Sequence, residues 1–288
     1  MPSKPISQGY KLFGVADHGY LYNFIWSSKA WSIIEVFWKP ELTKTGSLVR
    51  ELALSLPRHH ITIYMDNYFS SIPLFEELRK CQFGAVGTTR PHAQLPQVFK
   101  ILKDKFKKEL QWNTLLAKVV DNTLCLAWQD NNIVLALTNI HTVDTTETFR
   151  DKVRRRPAKT STSARQARAP FGNQPTKELA IPVVIDDYNH YIGGVDIANQ
   201  FRAEYETHRT AFPTWWPLFY WMVDIAVVNA YRLCVLQQKE AKIEHPVTYL
   251  SFRQQLYIAL LDNSKKVRAL RLVLTLTPCR TFISEFHR

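Results

Sequence analysis

Two aspartates, Asp66 and Asp196, are the best-placed groups for chemistry in this 288-residue sequence. Asp66 ends the apolar run Ile61-Thr62-Ile63-Tyr64-Met65, which reads as a buried strand, and a helix-forming segment follows it. In open α/β sheets ligands bind at the carboxyl ends of the strands. An acid there is therefore a candidate ligand-binding group as well as a candidate cap for the next helix. Asp196 comes 130 residues later, directly after Gly193-Gly194-Val195, in a stretch with helical spacing. Alone it would be an ordinary exposed or ion-paired residue. Two carboxylates on different elements suit a divalent cation, because hard cations prefer carboxylate oxygens. Other ligand types do not assemble. His59-His60 and His190 lack partners at ligand spacing. Cys81, Cys125, Cys234 and Cys279 form no C-x-x-C pair and read as reduced core thiols.

The elements that must position these acids come from patterning. Lys11 to Trp26 reads as two β-runs around a turn at Asp17-His18-Gly19. Gly46 to Leu56 carries Leu48, Val49, Leu52 and Leu56 at helical spacing and stops at Pro57. Ser70 or Ser71 is expected to cap a helix covering Leu74, Phe75 and Leu78, with Pro73 near its start, and Phe83 to Thr88 returns as a strand. Helix, strand, helix, strand in quick succession is the repeat of an α/β domain with parallel pairing. Residues 112 to 140 then alternate in period two, with turns at Asp121-Asn122 and Asp130-Asn131-Asn132. They read as a β-meander inserted into the sheet or set beside it.

Further on, Ile181 to Ile185 is a strand candidate, and Asp186-Asp187 can cap the segment after it. Tyr188 to Tyr205 has helical spacing, but Gly193 and Gly194 inside a helix cost about 1 kcal/mol each relative to Ala. Either something approaches closely there or a helix starts just after them. Trp215 to Leu236 is long enough to span a bilayer, yet Asp224, Asn229 and Arg232 interrupt it. It reads as a buried helix, with Thr214 as its cap, and Trp215, Trp216 and Trp221 as core residues before stacking platforms for bases.

Charge points outward. With 37 Lys and Arg against 25 Asp and Glu, the formal charge is +12, which favours a polyanionic partner. Eight Trp, twelve Tyr and sixteen Phe exclude a chain disordered throughout. The excess is local: Arg150 to Arg168 holds eight Lys and Arg against the single Asp151, a net of +7. Lacking apolar periodicity, and carrying Pro157 and the hydroxyl run Thr160 to Ser163, this segment is expected to be a solvated linker. Its Lys152, Arg154, Arg155, Arg156, Lys159, Arg165 and Arg168 are candidate nucleic-acid contacts, and Arg154-Arg155-Arg156 also reads as an import signal. Lys100 to Lys108 reads first as a solvated helix face. The opening Met1-Pro2-Ser3-Lys4-Pro5 is not a signal peptide, so a nuclear or cytoplasmic location is expected.

The run Asp66-Asn67-Tyr68-Phe69-Ser70-Ser71-Ile72-Pro73-Leu74 resembles the motif around the second catalytic aspartate of piggyBac-type transposases, a DDE/DDD family with a ribonuclease-H-like fold. Tyr188-Asn189-His190-Tyr191-Ile192-Gly193-Gly194-Val195-Asp196 is similar to that family's block around its third aspartate. Met1 to Ile6 with Gly9 to Phe13 resembles the segment leading into its second strand, and Trp216-Pro217-Leu218-Phe219 through Asn229-Ala230-Tyr231 the helix after the third acid. These blocks keep the family's order over residues 1 to 236. The resemblance implies three aspartates holding two Mg²⁺ ions that act in cleavage and joining of a DNA phosphodiester. Asp66 and Asp196 would then be catalytic and metal-ligating. Asn199, one helical turn beyond Asp196 and on its face, stands where many members have another aspartate. Its neutral amide can ligate a metal but adds no charge.

In that family the first catalytic aspartate lies on a central strand, ahead of the Pro-Ser-Lys-Pro segment with which this sequence opens. The resemblance therefore implies an α/β, ribonuclease-H-like DDE transposase domain lacking its first strand, with an inserted β-rich segment. Residues 1–110 would form its first part, 111–149 the insertion, 150–178 a basic linker, 179–240 the remainder with the third-acid helix, and 241–288 a helical region. The implied function is that of a piggyBac transposase-derived protein, catalytically inactive for want of the first acid. Mg²⁺ is the family's cofactor, DNA its partner and the nucleus its location; a homo-oligomer and no membrane contact are expected. Two other readings remain: a fragment of an active piggyBac-type transposase, and a non-catalytic DNA-binding protein that reuses the fold.

Overall fold

Period-two and helical patterning translate directly into elements over most of the chain. A computed structural model describes residues 11–27, 36–57, 60–92, 94–105, 110–143, 148–159, 167–207 and 215–276. Strands β1 (Leu12–Asp17) and β2 (Tyr20–Trp26) form an antiparallel hairpin. Its two-residue turn places His18 at φ 48° and Gly19 at φ 87°, the doubly left-handed geometry that matches strand twist. Helix α1 (Lys44–Leu54) starts where the Thr43 hydroxyl accepts the Gly46 N–H at 3.0 Å, and it buries Leu48, Val49 and Leu52.

Strand β3 (Thr62–Met65), helix α2 (Ile72–Lys80) and strand β4 (Gly84–Thr88) make the expected parallel βαβ unit. Helix α3 (Gln97–Lys105) covers the first part of the Lys100 to Lys108 run; residues 106–109 lie outside the described ones. Strands β5 (Leu115–Val120), β6 (Thr123–Gln129) and β7 (Ile133–Thr138) form the meander. It is bonded to the α/β sheet through an antiparallel β4–β7 pair, so one five-stranded sheet runs β3-β4-β7-β6-β5.

The middle of that sheet, β4, β7 and β6, is buried on both sides. Cys125, Ala127, Leu135 and Leu137 face Leu74, Phe75 and Leu78 of α2 and Phe99 of α3. On the other face, Val86, Leu124, Leu126 and Trp128 pack with Val184 and Ile185 of helix α4 (Val183–Tyr191). The β1–β2 hairpin is a separate sheet, resting on Leu48 and Leu52 of α1.

Two expectations are corrected. The segment read as a solvated linker contains strand β8 (Phe149–Arg155), paired antiparallel along its length with β9 (Thr176–Pro182). Its alternation is carried by Arg150, Lys152 and Arg154 rather than by apolar residues, so it does not read as a strand in sequence. The strand expected over Ile181 to Ile185 ends at Pro182, and Val183 begins α4, which places Asp186 in a first helical turn instead of a cap.

Helix α5 (Gly194–Glu204) comes after a break at Ile192-Gly193. Close approach is the explanation that holds for the glycine pair: a Cβ on Gly194 would collide with the Ala16 carbonyl of β1, and the helix starts on that second glycine rather than after it. Helix α6 (Trp216–Glu240) buries one face only, through Asp224, Ile225, Val228, Tyr231 and Val235. Trp215, Phe219, Met222, Leu233 and Leu236 are exposed, which corrects the reading of a fully buried helix; Thr214 lies outside the described residues. By length and composition α6 could cross a membrane. Its buried face is occupied by protein instead: Val228 and Tyr231 pack with Phe201 and with Tyr249 of helix α7 (Tyr249–Leu276). The Asn229 amide also accepts from Leu21 N–H and donates to Leu21 carbonyl on β2. Cys81, Cys125 and Cys234 are free thiols; Cys279 lies outside the described residues.

Candidate functional site

Asp66 leaves the carboxyl end of β3 at an exposed position. Its carbonyl accepts the Phe69 N–H at 3.0 Å, closing a β-turn over 66–69, while its Oδ1 accepts the Asn67 N–H at 2.6 Å. The Ser70 hydroxyl donates to the same carbonyl at 3.3 Å, and Ser71 occupies the N-cap position of α2 without a side-chain bond. Aspartate opening a tight turn between a strand and a helix explains why the chain folds this way locally.

The third-acid block arrives beside it through α4. The Tyr64 and Tyr191 rings lie 4.9 Å apart, and the Tyr188 hydroxyl meets Thr88 Oγ1 at 3.2 Å at the end of β4. Burial pushes the Tyr188 phenol up, the Thr88 contact pulls it back, and the charge of Asp66 adds to the rise. Tyr64 is pushed up to about 12 by burial, with Asp187 contributing. Asp196 stands in the first turn of α5 and Asn199 one turn later; both are exposed. α5 itself is seated on the hairpin, where Ile197 touches Gly19 and Ala198 is buried.

A divalent-metal pair needs several carboxylates converging on shared oxygens. Among the described residues no three His, Cys, Asp or Glu are grouped to hold a metal ion. Among the described residues, two exposed acids and a neutral amide do not make up that set.

The basic segment behaves differently from the expectation of free phosphate contacts. Arg150 donates to Asp186 at 2.7 Å and to Asp187 at 2.9 Å, and Lys152 pairs with Asp186. Arg154 grips both Asp130 oxygens at 3.0 Å and lies over the Trp128 ring. Burial pushes the Asp186 carboxyl up, but the Lys152 and Arg150 bonds outweigh it and hold it below the usual carboxylate range. His141 bridges Asp187 Oδ2 at 3.1 Å and Thr138 Oγ1 at 2.8 Å, tying the end of β7 to the same cluster.

The ribbon's inward face is thus pinned by ion pairs. Arg155, Arg156 and Lys159 have no ion-pair partner among the described residues, and Arg168 donates to the Pro157 carbonyl. Arg165 lies outside the described residues. Sequence reasoning missed Asp130, Asp186, Asp187 and His141 as partners of the basic run. The available signal was the spacing of Arg150, Lys152 and Arg154 at every second position, with an acid pair further along the chain.

Comparison with known proteins agrees with this architecture. The family model described as Transposase IS4 matches residues 1–231. The human PiggyBac transposable element-derived protein 2 is 25% identical over 276 residues, 91% of this chain and 41% of its own length. A cryo-EM structure of the piggyBac transposase synaptic complex with hairpin DNA superposes with a TM-score of 0.66 at 20% identity, covering 99% of this chain and 55% of that one. The chain therefore spans less than half of the human relative and about half of the solved one. It has the mixed α/β, several-sheet fold of that transposase. With four-fifths of its length inside the family model, the chain belongs to the Transposase IS4 family, and it is similar to piggyBac-type transposases.

Proposed function

We propose that this transposase-derived chain is a ribonuclease-H-like domain whose described residues do not assemble the acid set for cutting, and which binds DNA in the nucleus without cutting it. The observation that carries this reading is the donor set. Asp66 and Asp196 are exposed, and no third acid, His or Cys is grouped with them among the described residues. The sheet arrangement supports it: among the described residues β3, which Asp66 follows, is an edge strand, and the β1–β2 hairpin forms a sheet of its own. DNA enters because the similar solved structure is a complex with hairpin DNA. On this chain the contact falls to Arg155, Arg156 and Lys159, with Arg165 and Arg168 further along the sequence, because Lys152 and Arg154 are engaged with Asp186 and Asp130. Among the described residues Mg²⁺ would have Asp66, Asp196 and Asn199 as ligands, a set too weakly charged for a metal pair. Pairing of two copies on DNA belongs to the same reading.

The test is a strand-cleavage assay of the 288-residue chain on transposon-end duplex with Mg²⁺ or Mn²⁺. No cutting above background is expected. Reproducible cutting that Asp66→Ala abolishes overturns the reading. A second reading, a fragment of an active transposase, is favoured by the 41% coverage of the human relative. It predicts cutting once the chain is extended by the sequence encoded upstream of Met1.

A further inference from the structure

At the corner where Asp66 leaves β3, Lys11 and Tyr68 stand together outside the packed core. Lys11 precedes β1, and Tyr68 sits in the turn that Asp66 opens. The Lys11 ammonium lies 4.5 Å from the Tyr68 ring centroid and 4.8 Å from that of Phe13, and it donates to the Tyr68 hydroxyl at 3.2 Å. The Phe13 and Tyr68 rings are nearly parallel, at 10°, and Phe69 meets both edge-on. Phe13 is buried at 7% exposure, whereas Tyr68 remains 53% exposed. The phenol is thus a fixed platform, backed by core rings and open to solvent.

We infer that Lys11 and Tyr68 form a subsite for an unpaired nucleotide at a DNA end, Tyr68 stacking on the base and Lys11 holding the adjoining phosphate, beside Asp66. This rests on the DNA-binding function proposed for the chain. Three observations point to such a ligand. Among the described residues no carboxylate pairs with Lys11, although Asp66 opens the same turn, so the ammonium is left for a ligand. Only one of the three ammonium hydrogens has an acceptor among the described residues, which leaves donors for phosphate oxygens. An exposed aromatic face beside a cation matches a ligand with a π-surface next to an anion, which is a nucleotide. Bases inside a duplex already stack on one another and offer no free face, so the platform selects unpaired ends.

The test uses the full chain, a short duplex with a single-stranded overhang carrying 2-aminopurine, and the same duplex with blunt ends. Wild type is expected to bind the overhang duplex more tightly and to quench the 2-aminopurine. Tyr68→Ala should weaken overhang binding by roughly ten- to a hundredfold, abolish quenching and leave blunt-duplex binding within about twofold. Tyr68→Phe, which keeps the ring, should restore the preference. Lys11→Gln should lower the salt slope of overhang binding by about one. Unchanged overhang affinity and quenching in Tyr68→Ala, with thermal unfolding like wild type, overturns the subsite. If instead wild type binds neither duplex, the DNA-binding reading fails and the subsite falls with it. Should Tyr68→Ala unfold, the Lys11→Gln slope decides, and an unchanged slope overturns the proposal.

Discussion

Two pairs of aspartates divide this molecule. Asp186 and Asp187 lie side by side in α4, and their carboxylates take Arg150, Lys152 and His141 from two other elements. Asp66 and Asp196 sit exposed at the start of a turn and of a helix, and neither forms an ion pair among the described residues. The first pair holds the fold: it fastens the β8–β9 ribbon to the helix that covers the sheet. The second pair is positioned by the fold and contributes little to it. Charged residues close in sequence to a suspected site are thus separable by what they touch, and the separation can be tested.

The largest effect is expected at Asp186. Its carboxylate is almost wholly buried, and Asp186→Ala leaves Lys152 facing the gap without that partner and Arg150 with Asp187 alone. Both cations are about half exposed and can rehydrate, so the loss should be about 1–3 kcal/mol rather than that of a fully buried pair. Chemical denaturation at neutral pH measures it. The pH dependence has a definite sign. The native pKa of Asp186 is depressed, so its contribution is fully present above the unfolded carboxylate value, about 3.9, and is lost as pH falls through the lower native value. Asp186→Asn should flatten that acid limb of the stability curve.

Next comes a contrast within the basic run itself. Arg154→Ala removes a two-point contact to Asp130 and cover over Trp128, and should cost about 1 kcal/mol while leaving the salt slope of DNA binding unchanged. Replacing Arg155 and Arg156 together should do the reverse. Stability should stay within about 0.5 kcal/mol, and the salt slope should fall by about one per arginine. If Arg154→Ala weakens DNA binding as much as the double variant does, the division between pinned and available cations fails.

This contrast also shows what the sequence made legible. The hairpin at His18-Gly19, the βαβ unit around α2 and the meander all announced themselves by apolar period and turn residues, because their partners are apolar cores. The ribbon did not, because its inward positions are Arg150, Lys152 and Arg154, stabilised by carboxylates distant in sequence. A window on hydrophobicity cannot register a strand held by ion pairs. Asp66 and Asp196 were found by the strand end and the glycine pair that precede them. The position of Tyr188 beside Asp66 depends on α4 crossing the sheet, which only the tertiary packing establishes.

The smallest effects separate Asp66 from Asp196. Asp196 occupies the first turn of α5, where its charge faces the positive end of the helix. Asp196→Asn should therefore cost a few tenths of a kcal/mol, within the range of about 0.3–1 kcal/mol for such exposed charges, and high salt should erase the difference. Asp66→Asn keeps an oxygen able to accept the Asn67 N–H and an amide suited to the first position of the turn, so its stability should not change measurably. A loss above about 1 kcal/mol at Asp66, seen in denaturant midpoints, would mean that the carboxylate carries structural charge, and it would move Asp66 into the company of Asp186. A neutral result leaves its charge with no task inside the fold, as expected of a group placed for a ligand.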